Sequence, residues 1–232
     1  MFLKIDDLTV GYGNKTVVTN TSFGVEKGKI TTLLGHNGAG KTTTLKAIVG
    51  VMPIQGGTIS LDGKPVQDQP VSQRIADGIR LLPEGRGIFG NLTVAENLEV
   101  VAERNCSQPN SMVKIDDVIR LFPVLQERGS SIAGKMSGGQ QQMLAFSLTL
   151  LGSPKCLLLD EPSIGLAPNL VERLFAQVKE VCQSFGISAL LVEQNVAASI
   201  KICDHVAIMN NGEIVFNGST EEARGSDFWQ YF

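Results

Sequence analysis

The chain opens with apolar residues near every second position. Leu3, Ile5, Leu8 and Val10 keep close to the two-residue period of a half-buried strand, and Thr16 to Val25 carries a second such stretch. Gly11-Tyr12-Gly13-Asn14 between them predicts a turn, so the chain begins as an antiparallel β-ribbon. The pattern changes at Ile30-Thr31-Thr32-Leu33-Leu34, an unbroken apolar and β-branched run that predicts a strand covered on both faces. A Gly-rich segment follows directly, and then a helix from about Thr42 to Val49, stopped near Gly50. Ile79 to Leu82, Cys156 to Asp160, Ala189 to Val192 and Val206 to Met209 have the same buried-strand character, with helical spacing between them. That alternation predicts an α/β protein on a parallel sheet. From about Glu84 to Pro154 the strand signal fades, and Val94 to Val101, Ile115 to Phe122 and Gln140 to Leu151 place apolar residues at helical spacing. We read a single domain, residues 1–232, in which a helical segment (84–154) is inserted into a core made of 1–83 and 155–232. Gly212 to Gly218 reads as a return strand, and Trp229, Tyr231 and Phe232 mark an aromatic tail.

Composition then narrows the class. With 43% hydrophobic and 19% charged residues over 232 positions, the chain has the makings of one packed unit rather than a disordered one. The apolar runs Cys156 to Leu159 and Ile187 to Val192 fall far short of the roughly 20 residues that cross a bilayer. Asp6 and Asp7 stand where a signal peptide has its apolar core, which predicts a protein that is not exported. The Asn-x-Ser/Thr triplets at Asn20, Asn91 and Asn105 then need no glycan reading. A net charge of −3 without a Lys/Arg stripe argues against a nucleic-acid partner. Cys106, Cys156, Cys182 and Cys203 show no C-x-x-C spacing and are expected to be reduced, mostly buried thiols. No fixed-period repeat is present, which excludes solenoids and propellers.

The chemistry sits at the ends of the predicted strands. Gly35-His36-Asn37-Gly38-Ala39-Gly40-Lys41-Thr42 follows G-x-x-x-x-G-K-[ST], after a buried strand and before a helix. Its glycines let the backbone curl around phosphate, so that N–H groups and the helix N-terminus point at phosphate oxygens. Gly35, Asn37, Gly38, Ala39, Gly40, Lys41, Thr42 and Thr43 form the predicted cradle. Lys41 supplies a point charge, and the Thr42 hydroxyl is placed to ligate Mg²⁺. Cys156-Leu157-Leu158-Leu159-Asp160-Glu161 brings Asp160 to the sheet edge as a second Mg²⁺ partner, with Glu161 next to it to orient and polarise an attacking water. These two motifs describe a P-loop nucleoside triphosphatase.

Ser137-Gly138-Gly139-Gln140-Gln141, opening a helix upstream of Asp160, narrows this further, and here the chain resembles the ABC ATPase family, whose signature it matches. The resemblance spans nearly the whole chain. It implies a RecA-like core with an antiparallel β-subdomain and a helical subdomain, binding ATP and Mg²⁺. It also implies a nucleotide-sandwich dimer in which Ser137, Gly138, Gly139 and Gln140 cap the γ-phosphate held by the other subunit. Tyr12 falls where the family stacks a ring on adenine. Ser163-Ile164-Gly165-Leu166-Ala167 matches the loop that couples the two sites, with Ala167 where the family usually has aspartate. Glu84 occupies the place of a glutamine that ligates Mg²⁺ and senses the γ-phosphate, and Gln194 the place of a histidine that contacts it. An amide donates a hydrogen bond but takes no proton, so slower hydrolysis is expected.

Pro83-Glu84-Gly85-Arg86, Glu161-Pro162-Ser163 with Leu166-Ala167-Pro168, and Val192-Glu193-Gln194-Asn195 together resemble the second ATPase subunit of branched-chain amino acid importers. That resemblance implies a heterodimer with a second ATPase subunit, two membrane permease subunits, an indirect link to a substrate-binding protein, and a peripheral place on the cytoplasmic side of the inner membrane. Urea import and lipid or polysaccharide export stay open as alternatives, as does a non-hydrolysing regulatory cassette. A soluble ribosome- or DNA-remodelling ATPase would carry two cassettes or a coiled-coil insertion, and neither is visible. His36 and His205 are read as structural.

Overall fold

The computed structural model describes residues 1–85, 87–105 and 113–225. Arg86, Cys106 and the tail residues Trp229, Tyr231 and Phe232 lie outside the described residues. The elements run β1 (Leu3–Tyr12), β2 (Lys15–Val25), β3 (Ile30–Leu34), α1 (Lys41–Val49), β4 (Gly56–Leu61), β5 (Lys64–Pro65), α2 (Val71–Ala76) and β6 (Ile79–Leu82). A helical stretch follows with α3 (Val94–Asn105), α4 (Ile115–Leu121), α5 (Pro123–Glu127) and α6 (Gly138–Leu151). The chain then returns through β7 (Cys156–Asp160), α7 (Pro168–Phe185), β8 (Ser188–Glu193), α8 (Val196–Ser199), β9 (His205–Asn210), β10 (Glu213–Ser219) and α9 (Thr220–Gly225).

Two sheets form. A four-stranded sheet, β2-β1-β4-β5, is antiparallel, and a six-stranded sheet runs β10-β9-β3-β8-β7-β6. In the larger sheet β9, β3, β8, β7 and β6 are mutually parallel, and β10 closes one edge antiparallel to β9. The opening turn is tighter than the sequence pattern predicts. Gly11 and Tyr12 belong to β1, and Tyr12 pairs with Lys15, so that only Gly13 and Asn14 turn.

The unbroken apolar strands are explained by two cores on opposite faces of the parallel sheet. Cys156 and Leu158 of β7 face the core shared with α1 and the antiparallel sheet, while Leu157 and Leu159 face the core shared with α3, α4, α6 and α7. On α7, Val171, Leu174, Phe175, Val178, Val181 and Cys182 are buried at helical spacing, and Pro168 opens the helix where its missing N–H is harmless. The helical stretch between β6 and β7 joins the same core as the sheet. Phe122 meets Phe146 of α6 edge to face at 6.0 Å, within the cluster that also holds Leu157 and Leu191.

Parallel strands deliver all their C-terminal ends to one edge, the usual place for a ligand in such sheets. Here β3 ends at the glycine-rich loop, β6 before Pro83-Glu84, β7 at Asp160, β8 at Glu193 and β9 at Asn210. Among the described residues, no helix is long and apolar enough to cross a membrane.

Candidate active site

The loop between β3 and α1 owes its shape to what surrounds it. Gly35 lies against β9, where an added Cβ would come within 2.3 Å of the Met209 carbonyl oxygen. Gly38 turns with φ +83°, a conformation that L side chains adopt only under strain. Lys41 is 4% exposed, and its Nζ donates to the carbonyls of Gly35 (2.8 Å) and His36 (3.1 Å). The same ammonium lies 3.3 Å from Glu161 Oε1. The Thr42 hydroxyl donates to Asp160 Oδ1 at 3.0 Å.

Gln194 ties the two halves together. Its carboxamide N–H groups donate to Asn37 Oδ1 and to Glu161 Oε2, both at 2.7 Å. Glu161 is held in a left-handed backbone conformation, φ +46°, which no glycine is present to ease. His36 bonds Asn210 Oδ1 through Nε2 at 3.1 Å, which anchors the loop to the end of β9.

A cavity of about 300 Å³ opens over this arrangement, lined by the phosphate loop and the start of α1 together with Val17, Glu84, Glu161 and Ile164. Burial raises the pKa of Asp160 above its ordinary value, the Thr42 hydrogen bond and Lys41 oppose that, and the negative charges of Glu161 and Glu84 add to it. Among the described residues there is no cluster of three or more His, Cys, Asp or Glu able to hold a metal unaided. The donors present are a hydroxyl and carboxylates, all oxygen. That set suits Mg²⁺, which is held by one or two carboxylates and completes its shell with phosphate and water.

The structure thus brings Gly35, Asn37, Gly38, Gly40, Lys41, Thr42, Asp160, Glu161 and Gln194 to one edge of the sheet, with Ala39 buried in the loop and Thr43 in the first turn of α1. Glu84 lines the same cavity. A second cleft of about 510 Å³ runs from Glu84 and Glu161 to Gln141 and Gln142 of α6. Ser137, however, engages its own helix: its hydroxyl accepts from the Gln140 N–H (3.4 Å), and the Gln140 carboxamide accepts from the Ser137 N–H (3.1 Å). This capping box engages both the hydroxyl and the N–H of Ser137 within its own helix. Tyr12, at the hairpin tip and 55% exposed, does not line the cavity. Val17, from the other strand of that hairpin, does, and sequence spacing carried no signal for it. Cys156, Cys182 and Cys203 are free and buried, as expected.

A phosphate loop between a buried strand and a helix, beside a strand ending in paired acids, defines a P-loop nucleoside triphosphatase. Comparison with known proteins gives the family. The ABC transporter family profile matches residues 18–164. The chain is 39% identical over 215 residues to the high-affinity branched-chain amino acid transport ATP-binding protein BraG of Pseudomonas aeruginosa, covering 93% of this chain and 91% of that one. It is 33% identical over 220 residues to the probable branched-chain amino acid transport ATP-binding protein LivF of Archaeoglobus fulgidus, covering 95% and 93%. A solved ATP-binding subunit of an ABC transporter superposes with a TM-score of 0.83 at 30% identity, covering 97% of this chain and 92% of that one. The chain belongs to the ABC transporter family, as one of its ATP-hydrolysing subunits.

Proposed function

We propose that this subunit energises import of branched-chain amino acids, working in a sandwich dimer with a second ATPase subunit on paired membrane permeases. The observation that carries the hydrolytic part is the chain of contacts from Lys41 through Glu161 and Gln194 to Asn37, which joins both sequence motifs to one cavity. The similarity to BraG supports the choice of substrate.

On ATP binding, Lys41 exchanges the Gly35 and His36 carbonyls for β- and γ-phosphate oxygens. The backbone N–H groups of Gly38, Ala39 and Gly40 and the start of α1 take the rest of the charge. Thr42 and Asp160, with Glu84 from the cavity wall, are the residues to hold Mg²⁺, whose chemistry when bound is to neutralise phosphate charge. Glu161, released from Lys41, orients a water and accepts its proton as the oxygen attacks the γ-phosphorus. The bond to the bridging oxygen breaks with its electrons on ADP. Gln194 holds the Glu161 carboxylate in place and donates to the γ-phosphate. The partner subunit's copy of the Ser137-Gly138-Gly139-Gln140 tip covers that phosphate, and Tyr12 stacks on the adenine.

The test is reconstitution with the membrane subunits and the substrate-binding protein. ATP-dependent uptake of leucine, isoleucine or valine, lost with Glu161→Gln, is the expected result. Normal ATPase activity without uptake of any of the three would overturn the substrate assignment.

A further inference from the structure

The mechanism above makes no use of the carboxylate of Glu193. This side chain closes β8, next to Gln194, and is 2% exposed. Among the described residues no ion pair offsets its charge. Hydrogen bonds from two loops do so instead. From the loop after β7, the Ser163 N–H donates to Oε1 and the Ser163 hydroxyl to Oε2, both at 2.9 Å. From the loop after β8, the N–H groups of Gln194 (3.2 Å) and Asn195 (3.4 Å) donate to Oε2. Burial raises the pKa of Glu193, and the same donors pull it back down. A buried carboxylate without a cation is costly to keep unless its lone pairs are well used.

What the contacts secure is the residue between them. A non-glycine residue in the left-handed region costs on the order of 1–3 kcal/mol and persists only where its surroundings over-determine it. Glu161 is in that region, and it is held at several points. Its N–H donates to the Val192 carbonyl (2.9 Å), and its own carbonyl accepts from Ile164 (3.1 Å). Two positions on, Ser163 is pinned by both oxygens of Glu193. Gln194, whose N–H is pinned by the same carboxylate, reaches back to Glu161 Oε2 at 2.7 Å. Glu193 therefore fixes the backbone on both sides of the Glu161–Gln194 hydrogen bond.

The geometry points to Glu193 as a positioning residue for ATP hydrolysis: it locks the loop carrying Glu161 to the loop carrying Gln194, so that the two groups facing the γ-phosphate move as one unit. This rests on the roles given to Glu161 and Gln194 in the proposed mechanism. It also gives the segment from Ser163 to Ala167 a route to the γ-phosphate. Any displacement of Ser163 pulls on Glu193, and through it on Gln194.

The test is Glu193→Gln in the full-length chain. A glutamine still accepts from the Ser163 N–H through its oxygen, but it turns an NH₂ toward the N–H groups of Gln194 and Asn195, which opens the lock on that side. The expected result is a kcat lower by about tenfold or more, the scale of loss when reacting groups are misplaced. KM and MgATP affinity should stay within about twofold, and the melting temperature should not fall. Coupling predicts that Glu193→Gln with Gln194→Ala is only about as slow as the slower single variant, because both break one linkage. A kcat within about twofold of the parent, or losses that simply multiply in the double variant, would overturn the proposal. If Glu193→Gln does not fold, Ser163→Ala removes a single hydroxyl, and full activity in that variant would overturn it equally. Glu161→Gln, assayed alongside, separates the two levels. Full activity there refutes the site reading itself, whereas loss there with full activity in Glu193→Gln refutes only the role of Glu193.

Discussion

Gln194 is where the structure makes its sharpest quantitative claim. Its carboxamide holds one charge-assisted hydrogen bond to Glu161 Oε2 and one neutral bond to Asn37 Oδ1, each 2.7 Å long. Bonds to charged groups contribute about 1.5–3 kcal/mol and neutral ones about 0.5–1.5 kcal/mol. Gln194 is exposed to solvent, which places both at the low end of their ranges. Truncation to alanine therefore removes about 1–2 kcal/mol of the restraint on the catalytic carboxylate. If that restraint is what keeps Glu161 aligned, kcat falls roughly 5- to 30-fold, at about 1.4 kcal/mol per factor of ten. The bond to Asn37 also steadies the phosphate loop, so a rise in KM of a few-fold is expected beside it. Steady-state hydrolysis of MgATP by Gln194→Ala and the parent measures both quantities. A kcat within twofold of the parent would show that Glu161 is aligned without help from the amide. Gln194→His extends the test. An imidazole donates to the phosphate and also takes a proton, so a faster rate is expected, and an unchanged or lower rate would refute the expectation that a glutamine here slows hydrolysis.

Asp160→Asn should separate stability from activity. Because burial raises the pKa of Asp160 in the folded chain, the unfolded chain loses its proton first as pH rises, and native stability is lost between the ordinary carboxylate value and the raised one. The asparagine variant should thus melt higher than the parent at pH 7.5, with the gap closing toward pH 4, while hydrolysis is lost; a parent that melts higher at pH 7.5 refutes the burial argument. Glu84→Ala is expected to lower substrate-stimulated hydrolysis in the assembled transporter more than ATP binding, and equal losses in both would refute a coupling role. Gly35→Ala drives a Cβ to within 2.3 Å of the Met209 carbonyl oxygen, a backbone atom that has no rotamer by which to move away. A cost of about 3 kcal/mol lowers the melting temperature by roughly 6–12 °C for a chain of this size. Gly38→Ala has open space around it and pays only for its positive φ, so differential scanning calorimetry should rank it well above Gly35→Ala.

Much of this architecture is legible from residue patterns because the strands that carry the site are buried on both faces. Ile30–Leu34, an apolar and β-branched run, and Cys156–Asp160, apolar up to its closing acid, have the bounds that the residue pattern predicts, and Ile79–Leu82 keeps its bounds although Arg80 interrupts it. The segment holding β4, β5 and α2 has no such signature. Gly56 and Gly57 are poor strand formers, and β4 is a strand because it pairs with β1, a partner far away in the chain. The capping of Ser137 by its own helix follows the same logic in reverse: a Ser-x-x-Gln spacing is a capping box by local geometry, whatever the tip does with a partner. Lys41, Asp160 and Glu161 could be read from motifs because their spacing is local. Glu193 could not, because its donors come from Ser163 on one loop and Gln194 and Asn195 on another, joined only by the order of β7 and β8 in the sheet.

The most direct test is a structure of the Glu161→Gln variant saturated with MgATP together with its companion ATPase subunit. Each triphosphate is expected between the Lys41 loop of one subunit and the helix tip at Ser137 of the facing one, with Gln194 turned from Asn37 toward the γ-phosphate. A nucleotide fully enclosed by its own subunit, with the opposite Ser137 region out of reach, would contradict it.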